Sequence, residues 1–312
     1  MGSALVVGDR GSGLTTFVGL LYAAQIRLGT EEGDEFRFSA DRETLRQIEE
    51  IYGELVAGRF PVADADWDTH PLSFVFGFRS GRFGRLGGSG VEHNGDFDSF
   101  RIQVGGISVD TVAELSEHDA VLEDSTRQLL RSPVVLPLVD ASRLLPLSEE
   151  GGRRPLEQYD RMLAMTLDLV SRFVSASGPR KGRTLYPMFV VTKFDRCPPE
   201  TLAQFLVPEG SPASWPAGTR ESVGENILTS YLPETLRLFQ RTKSRGGGTI
   251  ALPNWIYSSL QLLPAAEGVR IARRSRIPIG GWEPEYPFEE YSILIHQLAE
   301  LAHRLPNWNE GS

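Results

Sequence analysis

Lysine is nearly absent from this 312-residue chain: Lys181, Lys193 and Lys243 are the whole set, so almost all of the 32 basic residues are arginine. Cysteine is scarcer still. Cys197 stands alone, which excludes an intramolecular disulfide and fits a reducing cytoplasm. With no local histidine it reads as a solvent-facing structural residue rather than a nucleophile. No apolar run approaches the roughly 18 residues of a membrane span. An apolar strand begins at Ala4, which leaves no room for a signal peptide, and Met1-Gly2-Ser3 lacks the downstream Ser/Thr of a myristoylation signal. Excess positive charge is also missing: a net charge of −9 argues against general nucleic-acid binding, which works by neutralising phosphates. His70, His93, His118, His296 and His303 show no paired metal spacing, and the last two share a helix face as packing or rim residues.

What is present begins at residue 8. Gly8-Asp9-Arg10-Gly11-Ser12-Gly13-Leu14-Thr15-Thr16 has the form of a phosphate-binding loop, except that Leu14 stands where the pattern has lysine. Ala4-Leu5-Val6-Val7 suits a buried strand, and Phe17, Leu20, Leu21 and Ala24 follow at helical spacing. The loop therefore lies between strand and helix, where free N–H groups and the positive end of the helix dipole face an anion. A glycine-rich turn with no ligand is the alternative at this point.

Three later segments weigh against that alternative. Within Ile107 to Glu114 an apolar strand ends in Asp110, and a carboxylate there can hold magnesium through water. Pro187 to Val191 is a buried-strand run ending in Thr192-Lys193-Phe194-Asp195. A carboxylate at Asp195 can accept both N–H groups of a guanine edge, with the lysine stem along the base; adenine offers no such donor pair. Trp255-Ile256-Tyr257 then leads into Ser258-Ser259-Leu260, whose backbone N–H groups suit the guanine carbonyl oxygen.

This ordered set resembles the TRAFAC class of P-loop GTPases over nearly the whole chain. The resemblance implies an α/β Ras-like domain with a mixed, mostly parallel sheet, helices on both faces, and bound GTP or GDP with Mg2+. By the same resemblance residues 8–16 cradle phosphate, Thr15, Asp110 and Thr69 serve magnesium, and Thr192, Lys193 and Asp195 read guanine. Ser258, Ser259 and Leu260 close over the base. Phe36 to Ala40, a helical stripe at Leu45, Ile48, Ile51, Tyr52 and Leu55, and Gly58-Arg59-Phe60-Pro61 resemble the insertion of double-GTPase proteins from bacterial conflict systems. Tyr286-Pro287-Phe288-Glu289-Glu290-Tyr291 adds to that likeness.

Departures from the family pattern set the expected activity. Leu14 removes a cation from the β and γ phosphates, where a charge-assisted contact contributes about 1.5–3 kcal/mol. Arg10 either folds over the terminal phosphate or faces solvent. Ala113 replaces the switch glycine, and Glu114 occupies the water-positioning place as a candidate base that also repels phosphate. The expectation is a guanine-nucleotide switch with weak hydrolysis, acting in the cytoplasm through a protein partner such as a second GTPase or an effector, as a homo- or heterodimer. The alternatives are a nucleotide-free scaffold and a P-loop ATPase or kinase.

The chain reads as one domain, 1–312, with insertions near 30–60, 80–98 and 197–218. Residues 71–78 and 100–104 suit an antiparallel pair flanking the glycine-rich stretch, and 134–140 a core strand with a bulge at Pro137. Helical stripes run from Tyr159 to Phe173 and from Tyr291 to Leu305, and another helix runs from about Glu221 to Gly246. No internal repeat is present. Arg270, Arg273, Arg274 and Arg276 form a basic cluster, read either as a solvated loop or as a dock for an acidic partner.

Overall fold

The computed structural model describes residues 4–31, 36–61, 72–79, 97–108, 130–146, 154–176, 184–244, 250–263, 271–276 and 281–304. In chain order its elements are β1 (Ala4–Gly8), α1 (Leu14–Glu31), β2 (Phe36–Ala40), α2 (Arg42–Val56), β3 (Leu72–Arg79), β4 (Phe97–Ser108) and β5 (Val134–Asp140). There follow α3 (Arg154–Ala176), β6 (Tyr186–Thr192), α4 (Pro199–Gln204), α5 (Ala217–Tyr231), α6 (Pro233–Ser244) and β7 (Asn254–Tyr257). Two short ribbons, β8 (Leu262–Leu263) with β9 (Ile271–Ala272) and β10 (Arg274–Arg276) with β11 (Trp282–Pro284), precede α7 (Phe288–Arg304).

Seven strands form one sheet in the order β2-β3-β4-β1-β5-β6-β7. The β2–β3 and β3–β4 pairs are antiparallel, and every pair from β4 to β7 is parallel. Strands β1 and β5 are buried along their whole length, as parallel strands covered on both faces must be. Side chains alternate across this sheet. Ala4, Val6, Leu136, Leu138 and Val190 join one core with α1, α2 and α7, while Leu5, Val7, Val135, Val139 and Val191 join the other with α3, α5 and α6. The fold is thus the Ras-like α/β arrangement with helices on both faces, and β2 is an added edge strand.

Local chemistry sets the element ends. Asp41 caps α2 by accepting from the Glu43 and Thr44 amides at 3.1 and 2.8 Å. Arg220 on α5 ties down the edge strand β7: it donates to Glu290 at 2.5 and 2.7 Å and to the Trp255 carbonyl at 2.9 Å. Glu290, fully buried on α7, also accepts the Tyr257 amide at 2.9 Å. Trp255 lies flat over α5 at Gly224, where a Cβ would come within 2.1 Å of the indole.

Four expectations are corrected. The strand carrying 100–104 does not end there: β4 runs unbroken from Phe97 to Ser108, and Asp110 falls beyond the described residues. Pro137 makes no bulge, since β5 keeps constant register with both neighbours; the irregularity lies between Leu5 and Val7, opposite β4. The helix expected from Glu221 to Gly246 is two, because Pro233 has no N–H to continue α5 and opens α6 instead. Cys197 is buried rather than solvent-facing, and burial pushes its thiol up to about 12.

Candidate functional site

The loop Asp9–Gly13 leaves the carboxyl end of β1, between β4 and β5, where strand connections diverge to the two sides of the sheet. Crevices outside the carboxyl ends of parallel strands are the usual ligand sites of such sheets. Gly11 and Gly13 hold φ of 84° and 92°, a backbone region that glycine occupies at no steric cost. Within the loop the Ser12 amide donates to the Asp9 carbonyl at 3.0 Å, and Phe17 donates to Gly13 at 2.8 Å as α1 begins.

Three consecutive loop carbonyls are held from outside. Arg143 Nη2 donates to the Arg10 carbonyl at 3.2 Å, Lys193 Nζ to Gly11 at 2.6 Å, and Thr192 Oγ1 to Ser12 at 2.6 Å. A trans peptide aims its N–H opposite to its C=O, so this pinning turns the Gly11, Ser12 and Gly13 amides the other way. The Gly11 and Gly13 amides have no acceptor among the described residues. Ser12 Oγ is buried without a partner, tucked where a Cβ on Gly8 would approach to 2.4 Å. Spare amides and the start of α1 fit an anion.

The cations that pin the loop belong to a chain of charges. Arg143 pairs with Asp9 and lies 3.6 Å from Asp140; Asp140 Oδ2 meets Lys193 Nζ at 2.5 Å. Asp140 is buried at the end of β5 and also accepts the Ser142 amide and hydroxyl at 3.0 and 2.6 Å. Burial raises the Asp9 carboxyl above its ordinary range, against the lowering effect of the Arg143 hydrogen bond and charge. Asp140 and Arg143 carry no motif and escaped sequence reasoning. One signal was present: Asp140 ends a buried strand that pairs in register with Thr192, which puts it beside Lys193.

Lys193 itself sits at φ 52°, ψ 37°, a left-handed conformation that is uncommon for a lysine and costs of order 1–3 kcal/mol. The following turn is anchored by Phe194, whose ring meets Tyr257 at 5.0 Å and Trp215 at 5.8 Å. Trp215 comes from the 197–218 insertion, so that segment buttresses the motif. Asp195 reaches solvent, yet the surrounding protein strips away enough water to raise its pKa, opposed by the backbone amides of Asp195 and Leu260 and by the Arg196 and Lys193 charges. Its carboxylate is an accessible acceptor.

The serine loop is less open than its sequence suggests. The Ser258 amide already donates to Val191 at 2.8 Å, its carbonyl accepts from Phe194 at 3.0 Å, and its hydroxyl shares a 2.6 Å bond with Tyr291. The amide and hydroxyl of Ser258, expected to close over a base, are thus engaged within the fold. Leu260 turns its amide to Asp195, which leaves Ser259 as the half-buried residue whose amide has no acceptor among the described residues.

The remaining expected residues divide three ways. Thr15 and Thr16 are half-buried on the first turn of α1, and Arg10 turns its side chain to solvent. Leu14 is half-buried against the core beneath α1. Thr69, Asp110 and Glu114 lie outside the described residues, as does Arg270. The neighbouring arginines are engaged: Arg273 pairs with Glu285 at 2.8 Å, Arg274 donates to the Val56 carbonyl at 2.9 Å, and Arg274 and Arg276 both lie over Trp282. No group of three His, Cys, Asp or Glu suited to a metal occurs among the described residues, and no described helix is long and apolar enough to cross a membrane.

Fold and site together define an α/β protein of Ras-like fold with a glycine-rich loop after its first strand. No protein-family model and no curated protein matches the chain. Among solved structures it is similar to a signal recognition particle receptor SRb-GTP/SRX complex from Chaetomium thermophilum, at 15% identity and a TM-score of 0.35, over 86% of this chain and 94% of that one. Functional assignment rests on the site.

Proposed function

We propose that the chain is a guanine-nucleotide-binding P-loop protein of the TRAFAC GTPase class, with a degenerate Walker A loop, weak intrinsic hydrolysis and an output through a protein partner. One observation carries the reading: Lys193, within the base-reading motif, also donates to the Gly11 carbonyl of the phosphate loop at 2.6 Å. Base reader and phosphate cradle are thereby one mechanical unit. Asp195 would accept the guanine N–H pair, Ser259 would offer an amide to the base, and the Gly11 and Gly13 amides would meet phosphate. Thr15 would serve Mg2+, which when bound offsets phosphate charge. Phosphoryl transfer depends on positioning and electrostatics, so a loop without its lysine, with Glu114 in the glutamine place, works slowly unless a partner adds a cation.

Leu14 favours a second reading. Its packing on the core removes a cation and gives the loop an apolar anchor, as a nucleotide-free scaffold would. Nucleotide released by denaturing freshly purified protein separates the two. A guanine nucleotide is expected; none favours the scaffold, and an adenine nucleotide points to a P-loop ATPase or kinase.

A further inference from the structure

The loop carries an acid, Asp9, two residues before the first of the amides that would receive phosphate, and it has no lysine to offset that acid. Left alone, a carboxylate there would repel a phosphate and draw the loop amides toward itself. Arg143 approaches from the opposite side of the backbone and does two things at once. Its Nη1 pairs with the Asp9 carboxylate, and its Nη2 holds the Arg10 carbonyl at 3.2 Å. Asp140, 3.6 Å from Arg143 Nε, fixes the guanidinium in turn, and Asp140 is itself held by Ser142 and Lys193. A planar guanidinium makes these directed contacts together, which a single ammonium point charge cannot.

We propose that Arg143 is a positioning residue of this loop: by screening Asp9 and drawing the Arg10 carbonyl outward, it keeps the Gly11 amide turned toward an anion in place of the missing loop lysine. The ligand named in the test rests on the guanine-nucleotide reading; the loop geometry does not, and it is read without nucleotide.

The test uses the full chain and four variants: Arg143→Met, Arg143→Lys, Asp9→Asn and the double variant Asp9→Asn/Arg143→Met. Amide exchange in nucleotide-free protein reports loop order, with α5 as the internal standard for intact folding. Arg143→Met should raise exchange of the Ser12 amide, which donates to the Asp9 carbonyl within the loop, by about tenfold, an energy step of one decade, with α5 unchanged; Arg143→Lys should recover only part of the protection. Calorimetry with pyrophosphate and with GDP should show affinity falling about tenfold in Arg143→Met, within the range of a charge-assisted contact. The double variant should bind more tightly than Arg143→Met, because the repelling carboxylate is gone. Wild-type loop exchange in Arg143→Met overturns the proposal. So does a double variant that binds no better than Arg143→Met. Should Arg143→Met disturb α5 as well, Asp9→Asn decides: loop exchange at or below the wild-type rate with affinity kept supports the screening role, and a tenfold loss of affinity overturns it. If wild-type protein takes pyrophosphate but does not prefer GDP to ADP, the guanine reading fails while the exchange result on Arg143 stands.

Discussion

Two arginines serve the strand ends of this sheet in opposite circumstances. Arg220 is closed in: its side chain is 13% exposed, its partner Glu290 is fully buried, and the pair is completed by the Pro212 and Trp255 carbonyls and the Tyr257 amide. Arg143 is 25% exposed, and its partner Asp9 is 19% exposed, at the rim of a loop whose outward carbonyls are occupied and whose Gly11 and Gly13 amides have no acceptor among the described residues. The difference teaches how to tell scaffold charge from site charge. A pair whose every neighbouring donor and acceptor is used holds structure. A pair that satisfies one side of a peptide run and leaves the other side open is, on the reading proposed above, one that prepares a ligand site.

Breaking the closed pair should have the largest effect. Glu290→Ala strands the Arg220 guanidinium and the Tyr257 amide in the interior, and loss of one partner of a buried pair costs about 3–5 kcal/mol. Urea unfolding monitored by tryptophan fluorescence should show that loss; a change under about 1 kcal/mol would mean that water reaches the pair and the contrast with Arg143 is smaller than drawn.

A gentler change sharpens the open side. Leu14→Lys places a cation beside the amides that Arg143, Lys193 and Thr192 hold in place, and should tighten a GTP analogue, with magnesium, by about tenfold or 1.4 kcal/mol. The dissociation constants of wild type and an equally folded variant check it. Unchanged binding would mean that Leu14 is an apolar anchor of a loop that does not receive phosphate.

Much of this molecule was legible before its folding was known. The strands at 4–7, 134–139, 187–191 and 255–257 are uninterrupted apolar runs, because parallel strands are covered on both faces, and the glycines at 11 and 13 mark the backbone region the loop needs. Charge partners were not legible. Asp9 and Arg143 lie 134 positions apart, and Arg220 and Glu290 lie 70 apart. Nothing in local composition singles out one arginine among so many; only the strand order does. The engagement of the serine loop was hidden for a related reason. Its residue types suit a ligand, but the neighbouring strand and α7 had already taken the Ser258 amide and hydroxyl. Pro233 was visible yet underweighted, since a helical stripe on both sides concealed the break it makes.

The most direct test of the central claim, that the loop and the Thr192–Asp195 motif form one guanine-nucleotide site, is calorimetric titration of the full chain with GDP and with ADP. Both are run with magnesium, on wild type and on Asp195→Ala. The account predicts that wild type prefers the guanine nucleotide and that Asp195→Ala loses most of that preference while still binding phosphate through the loop. Equal affinity of the wild type for GDP and ADP would contradict it.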